Sequence, residues 1–311
     1  MKQWLITAAS LLLALALFVG LAGRHTAQGY HPFDAERKNI GIYIDELSEW
    51  EALETAPNIF PWFENWYGAE ANRKLSFCSD HPEYTPLITW MPNNVPLDEI
   101  ASGMHDKYIR HFLQRVRRTC PRQDVLVRFA HEMEIRPNYG LGWYSWQIGE
   151  DGGQSYREAW IHVVTLAREI APNIRWIWAP NRADQYTKPY YPGDEYVDYV
   201  GITLNHKGDR RIPYRCFEDF YRLEATREEL EKYGKKIIIC ETGYSEGDQT
   251  LKERFLQSIF DYYSKDENLA AVVFFNEDKS KNSQFKMTDN EAYMQIFYNG
   301  IRELSENEKE K

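Results

Sequence analysis

From Asn39 onward the chain alternates between two textures, and this rhythm constrains its fold more than any single motif. Eight apolar, β-branched or aromatic runs recur, at residues 39–45, 58–66, 86–92, 125–133, 174–181, 199–205, 235–243 and 270–277. Most are continuous rather than alternating, which is the pattern of parallel strands buried on both faces. Helical spacing fills several gaps. Ile109, Phe112, Leu113 and Val116 fall at i, i+3, i+4, i+7, as do Trp160, Val163, Val164 and Ala167. Residues 217–233, 249–263 and 289–304 continue the pattern, and Gly234 follows the first of these as a helix stop. Strands alternating with helices imply βα units, and eight of them imply an α/β fold of the closed (β/α)8 TIM barrel type. The connections after the second and fifth runs carry weak helix signals. No repeat or Pro/Gly/Ser-rich linker divides the chain, so residues 39–304 read as one domain, with a charged tail at 305–311.

The start of the chain has a different character. After Met1-Lys2-Gln3, the stretch from Trp4 to Ala22 carries no charge. An apolar stretch behind a basic start is an export signal. Its length also approaches the ~20 residues needed to span a bilayer. Residues 1–23 are therefore expected to be a signal peptide or an uncleaved membrane anchor, with 24–38 as spacer. Either way the folded part is expected outside the cytoplasm, secreted or anchored through residues 4–22, and this segment is its sole membrane contact. Export permits disulfides, and Cys78 with Cys120 is one pairing among those four cysteines allow; Cys240, inside an apolar run, reads as a buried thiol. The absence of CxxC spacing gives no support to a zinc site of that kind. A formal net charge of −10 argues against nucleic acid as a partner.

In such a barrel the functional residues sit where strands end at the C-terminal face. The fourth run, Arg128-Phe129-Ala130-His131-Glu132-Met133, and the seventh, Ile237-Ile238-Ile239-Cys240-Glu241-Thr242-Gly243, both end on a glutamate. A carboxylate at the exit of a buried strand is costly unless it has partners or work to do. The other runs end in Trp66, Trp90, Asn181, and Asn205-His206. Amides and imidazoles hydrogen-bond hydroxyls, and indoles stack on sugar rings. Two carboxyls held about 5–5.5 Å apart, one protonated and one ionised, are the equipment of a retaining glycosidase. Aromatic residues make up 15% of the chain, a content that suits a large core or a sugar-stacking cleft equally.

The chain resembles glycoside hydrolase family 26, the β-mannanase family of clan A. The resemblance rests on Arg128-Phe129-Ala130-His131-Glu132-Met133 with Trp143 and Trp146, on Trp178-Ala179-Pro180-Asn181, on the stretch from Tyr190 to Gly201, and on Glu241-Thr242-Gly243. It implies a (β/α)8 barrel in which Glu132 is the acid/base and Glu241 the nucleophile. His131 takes the family's histidine position before the acid. Substrate binding is expected from Arg128, His131, Trp66, Trp90, Trp143, Trp146, Asn181, Asn205 and Tyr244. Three departures are visible. Glu134 stands where the family usually has asparagine, Leu204-Asn205 where it commonly has a tyrosine, and Phe275 where the last strand commonly ends in tryptophan. The implied activity is endo-acting hydrolysis of a β-linked polysaccharide, mannan-like or an exopolysaccharide, by a monomer needing no cofactor and no metal. The departures motivate an alternative, a carbohydrate-binding barrel with little or no turnover.

Two motifs mislead. His131-Glu132-Met133-Glu134-Ile135 starts like a zinc-protease helix but lacks the second histidine. Gly243-Tyr244-Ser245-Glu246-Gly247 matches Gly-x-Ser-x-Gly, yet no histidine follows Ser245, as a hydrolase of that order requires.

Overall fold

The structure, a computed structural model, describes residues 29–68, 71–135, 144–147, 151–208, 213–223, 226–245, 248–280 and 283–309. The chain divides into two compact units, Met1–Pro32 and Phe33–Lys311, and the second is the subject here. The expected signal or anchor lies outside the described residues. Among the described residues no helix is long and apolar enough to cross a membrane.

The second unit runs β1 (Asn39–Ile42), α1 (Leu47–Glu51), β2 (Ile59–Asn65), α2 (Ala71–Asp80), β3 (Thr85–Met91), α3 (Leu97–Ala101), α4 (Asp106–Thr119), β4 (Val125–Phe129), α5 (Gln154–Ile170) and β5 (Ile174–Trp178). It continues with β6 (Tyr199–Lys207), α6 (Phe217–Tyr221), α7 (Thr226–Glu231), β7 (Ile237–Ser245), α8 (Gln249–Tyr263), β8 (Leu269–Phe274), a small hairpin of β9 (Asp278–Ser280) and β10 (Ser283–Gln284), and α9 (Glu291–Lys309). Strands β1 to β8 close into a barrel in sequence order, and β8 pairs in parallel with β1. All eight expected strands are present, and the (β/α)8 architecture holds. The weak helix signal after the second run is a real helix, α2. After β5 the described chain makes only short 3-10 turns, at Lys188–Tyr190 and Asp194–Tyr196.

Side chains alternate across each strand, so the barrel has two cores. Ile59, Leu87, Leu126, Ile177, Ile238, Ala271 and Val273 fill the interior. A larger layer between strands and helices holds Trp62, Trp90, Phe112, Phe129, Trp160 and Trp178. Gly201 in β6 is required by close approach: a Cβ there would lie 2.6 Å from Cys240 Sγ and 2.8 Å from Ile177 Cγ2. The pairing considered between Cys78 and Cys120 is not formed. All four cysteines are free thiols, and Cys78, Cys120 and Cys240 are buried.

Candidate active site

The site is set by where alternation places polar groups at the top of the inner layer. In β4, Leu126 faces the interior, so Arg128 does too, while Phe129 turns outward into the helix layer. Thr89 lies beside Arg128 in the β3–β4 register, and Arg128 Nε donates to Thr89 Oγ1 at 3.0 Å. The guanidinium, only 1% exposed, also donates from Nη2 to Glu241 Oε1 at 2.5 Å. Burial opposes its charge, but Glu241, Cys240 and Glu132 together outweigh that and hold the guanidinium above its usual value.

Glu241 faces inward because β7 breaks its own alternation. Ile239 pairs with Ile202 and Glu241 with Thr203, so Cys240 is the extra residue of a β-bulge. A bulge re-aims the residue that follows it. Here it lets Cys240 and Glu241 both line the interior. From β6, Asn205 Nδ2 donates to the second carboxylate oxygen of Glu241 at 3.3 Å.

Glu132 is aimed by a different device. β4 ends at Phe129, earlier than the apolar run, because the chain then turns through positive φ at Ala130 (42°) and Glu132 (55°). Non-glycine residues in this region cost on the order of 1–3 kcal/mol and persist where the surroundings fix them. The surroundings here are specific. Glu132 N donates to Ala179 O at 2.8 Å, and Gln147 Nε2 donates to Glu132 O at 3.0 Å. Trp146 Nε1 donates to His131 O at 2.7 Å. The carboxyl of Glu132 accepts from Asn181 Nδ2 at 3.2 Å. Burial raises its pKa, and the nearby charge of Glu241 raises it further. His131 is buried too, and desolvation with the positive charges of Arg128 and Lys279 drives its pKa well below the usual range, leaving a neutral imidazole.

Ligand-type atoms of His131, Glu132 and Glu241 lie within 4.8 Å of one another. The trio has the residue types of a cation site. However, Arg128 already holds Glu241, and the same positive field weighs on His131, so the pocket is arranged for an ion pair rather than for an added cation.

Of the residues expected from sequence, Arg128, His131, Glu132, Asn181, Asn205 and Glu241 converge at the mouth. Four others do not serve as open sugar platforms. Trp90 is fully buried on the outer side of β3 and stacks on Phe112 of α4, with ring centres 4.1 Å apart. Trp66 packs on Trp90 and Tyr108 in the same layer. Tyr244 lies outward from β7 against His206 and Phe255. For Trp90 and Tyr244 strand parity sends the side chain into the helix layer, and Trp66 reaches it from the residue just past β2. Trp146 is buried as well and holds the His131 carbonyl, but Tyr144 lies flat on it, with centres 4.4 Å apart and planes 5° apart. Trp143 lies outside the described residues. The sequence reading missed Thr89, Gln147 and the half-buried Tyr144, whose ring centre is 5.2 Å from that of His131. For Tyr144 and Gln147 the one sequence signal is the dense Trp143-Tyr144-Ser145-Trp146-Gln147 cluster after the acidic strand end.

The (β/α)8 barrel thus brings two buried glutamates together, one just past β4 and one in β7, as a paired-carboxylate site. Residues 89–223 match the family model described as Glycosyl hydrolase family 26. Endoglucanase H of Acetivibrio thermocellus is 26% identical over 207 residues, which is 62% of this chain but 22% of that relative's length. The catalytic domain of a Bacillus sp. JAMB-750 GH26 endo-β-1,4-mannanase shares the fold, with a TM-score of 0.61 at 14% identity over 86% of each chain. The YdhT protein of Bacillus subtilis gives 0.58 at 14% identity, over 85% of this chain and 86% of its own. The model match over residues 89–223 and the curated relative make the chain similar to glycoside hydrolase family 26, on a barrel shared with these solved structures.

Proposed function

We propose that the barrel is a retaining endo-β-glycosidase that hydrolyses a β-linked polysaccharide by double displacement. The carrying observation is the spacing of the two buried carboxyls. Their nearest oxygens lie within 4.8 Å, closer than the about 6.5–9.5 Å of inverting pairs, and this suits direct attack by one of them on the sugar. Glu132, whose pKa is raised, is the group suited to hold a proton and pass it to the departing oxygen. Glu241, gripped by Arg128 and Asn205, is the group held in place as nucleophile. In the second half of the reaction Glu132 accepts a proton from water and the glycosyl–Glu241 ester is hydrolysed. The names of the relatives, endo-β-1,4-mannanase and endoglucanase, favour a β-1,4-mannan or a glucan among substrates. The charge-free stretch at residues 4–22 supports an extracytoplasmic setting for this work.

The test is a panel of β-mannans, β-glucans, xylans and exopolysaccharides with sizing of the products. Glu132→Gln and Glu241→Gln should each cut turnover by several orders of magnitude. Either variant keeping full activity on a polysaccharide that the wild type cleaves would overturn the roles. The binding-only alternative makes the opposite forecast: glycan is retained by the protein, and no reducing ends form.

A further inference from the structure

One half-buried acid takes no part in the scheme above. Glu134 lies two residues past Glu132, in the short turn that leaves β4. Its Oε1 accepts from the backbone N–H of Arg182 at 2.6 Å. Arg182 directly follows Asn181, whose side-chain amide donates to Glu132 Oε1. Two residues before Asn181, Ala179 O accepts from Glu132 N. The segments leaving β4 and β5 are thus laced at two points, and the amide that touches the acid lies between them. Glu134 Oε2 is buried and, among the described residues, has no hydrogen-bond partner. The hydroxyl of Tyr156, from α5, is buried and unpartnered as well, and lies close enough to feel the charge of Glu134.

We propose that Glu134 is a positioning residue: its carboxyl fixes the Asn181–Arg182 peptide, and so aims the Asn181 amide at the carboxyl of Glu132. The inference rests on the reading of Glu132 as acid/base only for its kinetic consequence. Burial pushes the Glu134 carboxyl up to about 8. Near neutral pH it is therefore largely protonated, and sets little negative charge beside Glu132. The carbonyl oxygen of either an acid or an amide can accept from the Arg182 N–H. Glutamine should therefore replace Glu134, and alanine should not.

The experiment reads Glu132 itself. In protein labelled with carboxyl-¹³C glutamate, the Glu132 resonance is identified by its loss in Glu132→Gln and titrated in the wild type, Glu134→Gln and Glu134→Ala. A hydrogen bond to the ionised form lowers a carboxyl pKa, so Glu134→Ala should titrate Glu132 about half a unit to one unit above Glu134→Gln. Asn181→Ala should reproduce the rise, and combining it with Glu134→Ala should add nothing. If Glu134→Ala fails to fold, Glu134→Asp withdraws the acceptor from Arg182 with less loss of volume and should show the same direction. Equal Glu132 titration in all Glu134 variants would overturn the proposal. On a polysaccharide that the wild type cleaves, Glu134→Ala should lower kcat about tenfold. With a dinitrophenyl glycoside, whose leaving group needs no proton, it should change little. Equal losses on both substrates would mark a merely structural role. An inert wild type would defeat the proposed hydrolysis, while the titration would still decide what Glu134 does.

Discussion

The ion pair between Arg128 and Glu241 is the point at which stability and chemistry are most tightly joined. Consider Arg128→Met, which keeps much of the apolar stem and deletes the charge. Glu241 would then be 5% exposed with Asn205 as its remaining side-chain donor, and its oxygens would lie within 4.8 Å of ligand atoms on Glu132. Two unit charges at 4.8 Å repel by about 3.5 kcal/mol at an effective dielectric of 20. Breaking one side of a buried pair typically costs about 3–5 kcal/mol, so the two estimates agree. The variant escapes part of this by binding a proton on the carboxyl pair. Glu132, already raised in the wild type, is the natural site. A carboxyl raised in the folded state is destabilising above its folded pKa and harmless below its unfolded value of about 4.3. Urea unfolding should therefore show Arg128→Met about 3–5 kcal/mol less stable than wild type at pH 7.5, with the gap closing to about 1 kcal/mol near pH 4.5. Adding Glu241→Gln should recover much of the loss at pH 7.5, because the repulsion has gone. A stability gap independent of pH, or no gap at all, would refute the view that Arg128 neutralises the site.

Four further outcomes follow from the same geometry. Asn181→Ala and Asn205→Ala each remove one donor to a carboxyl of the pair and, on the proposed roles, should lower kcat about 10- to 100-fold, with the larger effect on kcat than on KM in steady-state assays. Activity should fall as pH rises through the elevated pKa of Glu132, because a proton donor must be protonated; Glu132→Gln should abolish that alkaline limb in the residual rate profile. Trp90→Ala should cost about 3–5 kcal/mol in urea unfolding, while glycan affinity of the folded fraction stays near wild type, since the ring faces α4 rather than the mouth. Gly300→Ala should cost about 1–3 kcal/mol in the same measurement, because its Cβ would lie 2.3 Å from the Phe260 ring where α9 meets α8.

Much of the barrel is legible in the sequence because burial on both faces writes each strand as a continuous apolar run. Residues 199–205 and 235–243 foretell β6 and β7 almost to their starts. That same continuity hides orientation. A run apolar at every position does not say which of Trp90 or Thr89 faces inward, and the indole, the more suggestive side chain for sugar binding, is the one that turns out into the helix layer. Glu241 would also be misassigned by simple alternation, since Cys240 lies inward too; the bulge that reconciles them is a matter of register with β6, which one strand cannot show. The early end of β4 is equally silent. Ala130 and Glu132 have no intrinsic preference for positive φ, and adopt it because Ala179, Trp146 and Gln147 from elsewhere in the chain hold the turn.

These non-local supports bear on the departures from the family pattern. With leucine and asparagine at 204 and 205, β6 offers Glu241 an amide rather than a phenol, and strand parity fixes which residue does so. Leu204 is buried in the outer layer, and Asn205 is the residue that reaches the carboxylate. An amide donates a hydrogen bond but cannot lose a proton, so Asn205 can hold an ionised Glu241 and can never compete with it for charge. The phenol that does approach the pair comes from elsewhere: Tyr144 lies beside His131, and the charges of Glu132 and Glu241 help burial lift its pKa to about 12. It therefore stays a neutral donor throughout the range in which the carboxyls titrate. Asparagine at 205 leaves the Glu241 carboxyl oriented by a side-chain donor, so on the proposed roles the departure on β6 weighs on which sugar is accepted more than on whether the bond is broken.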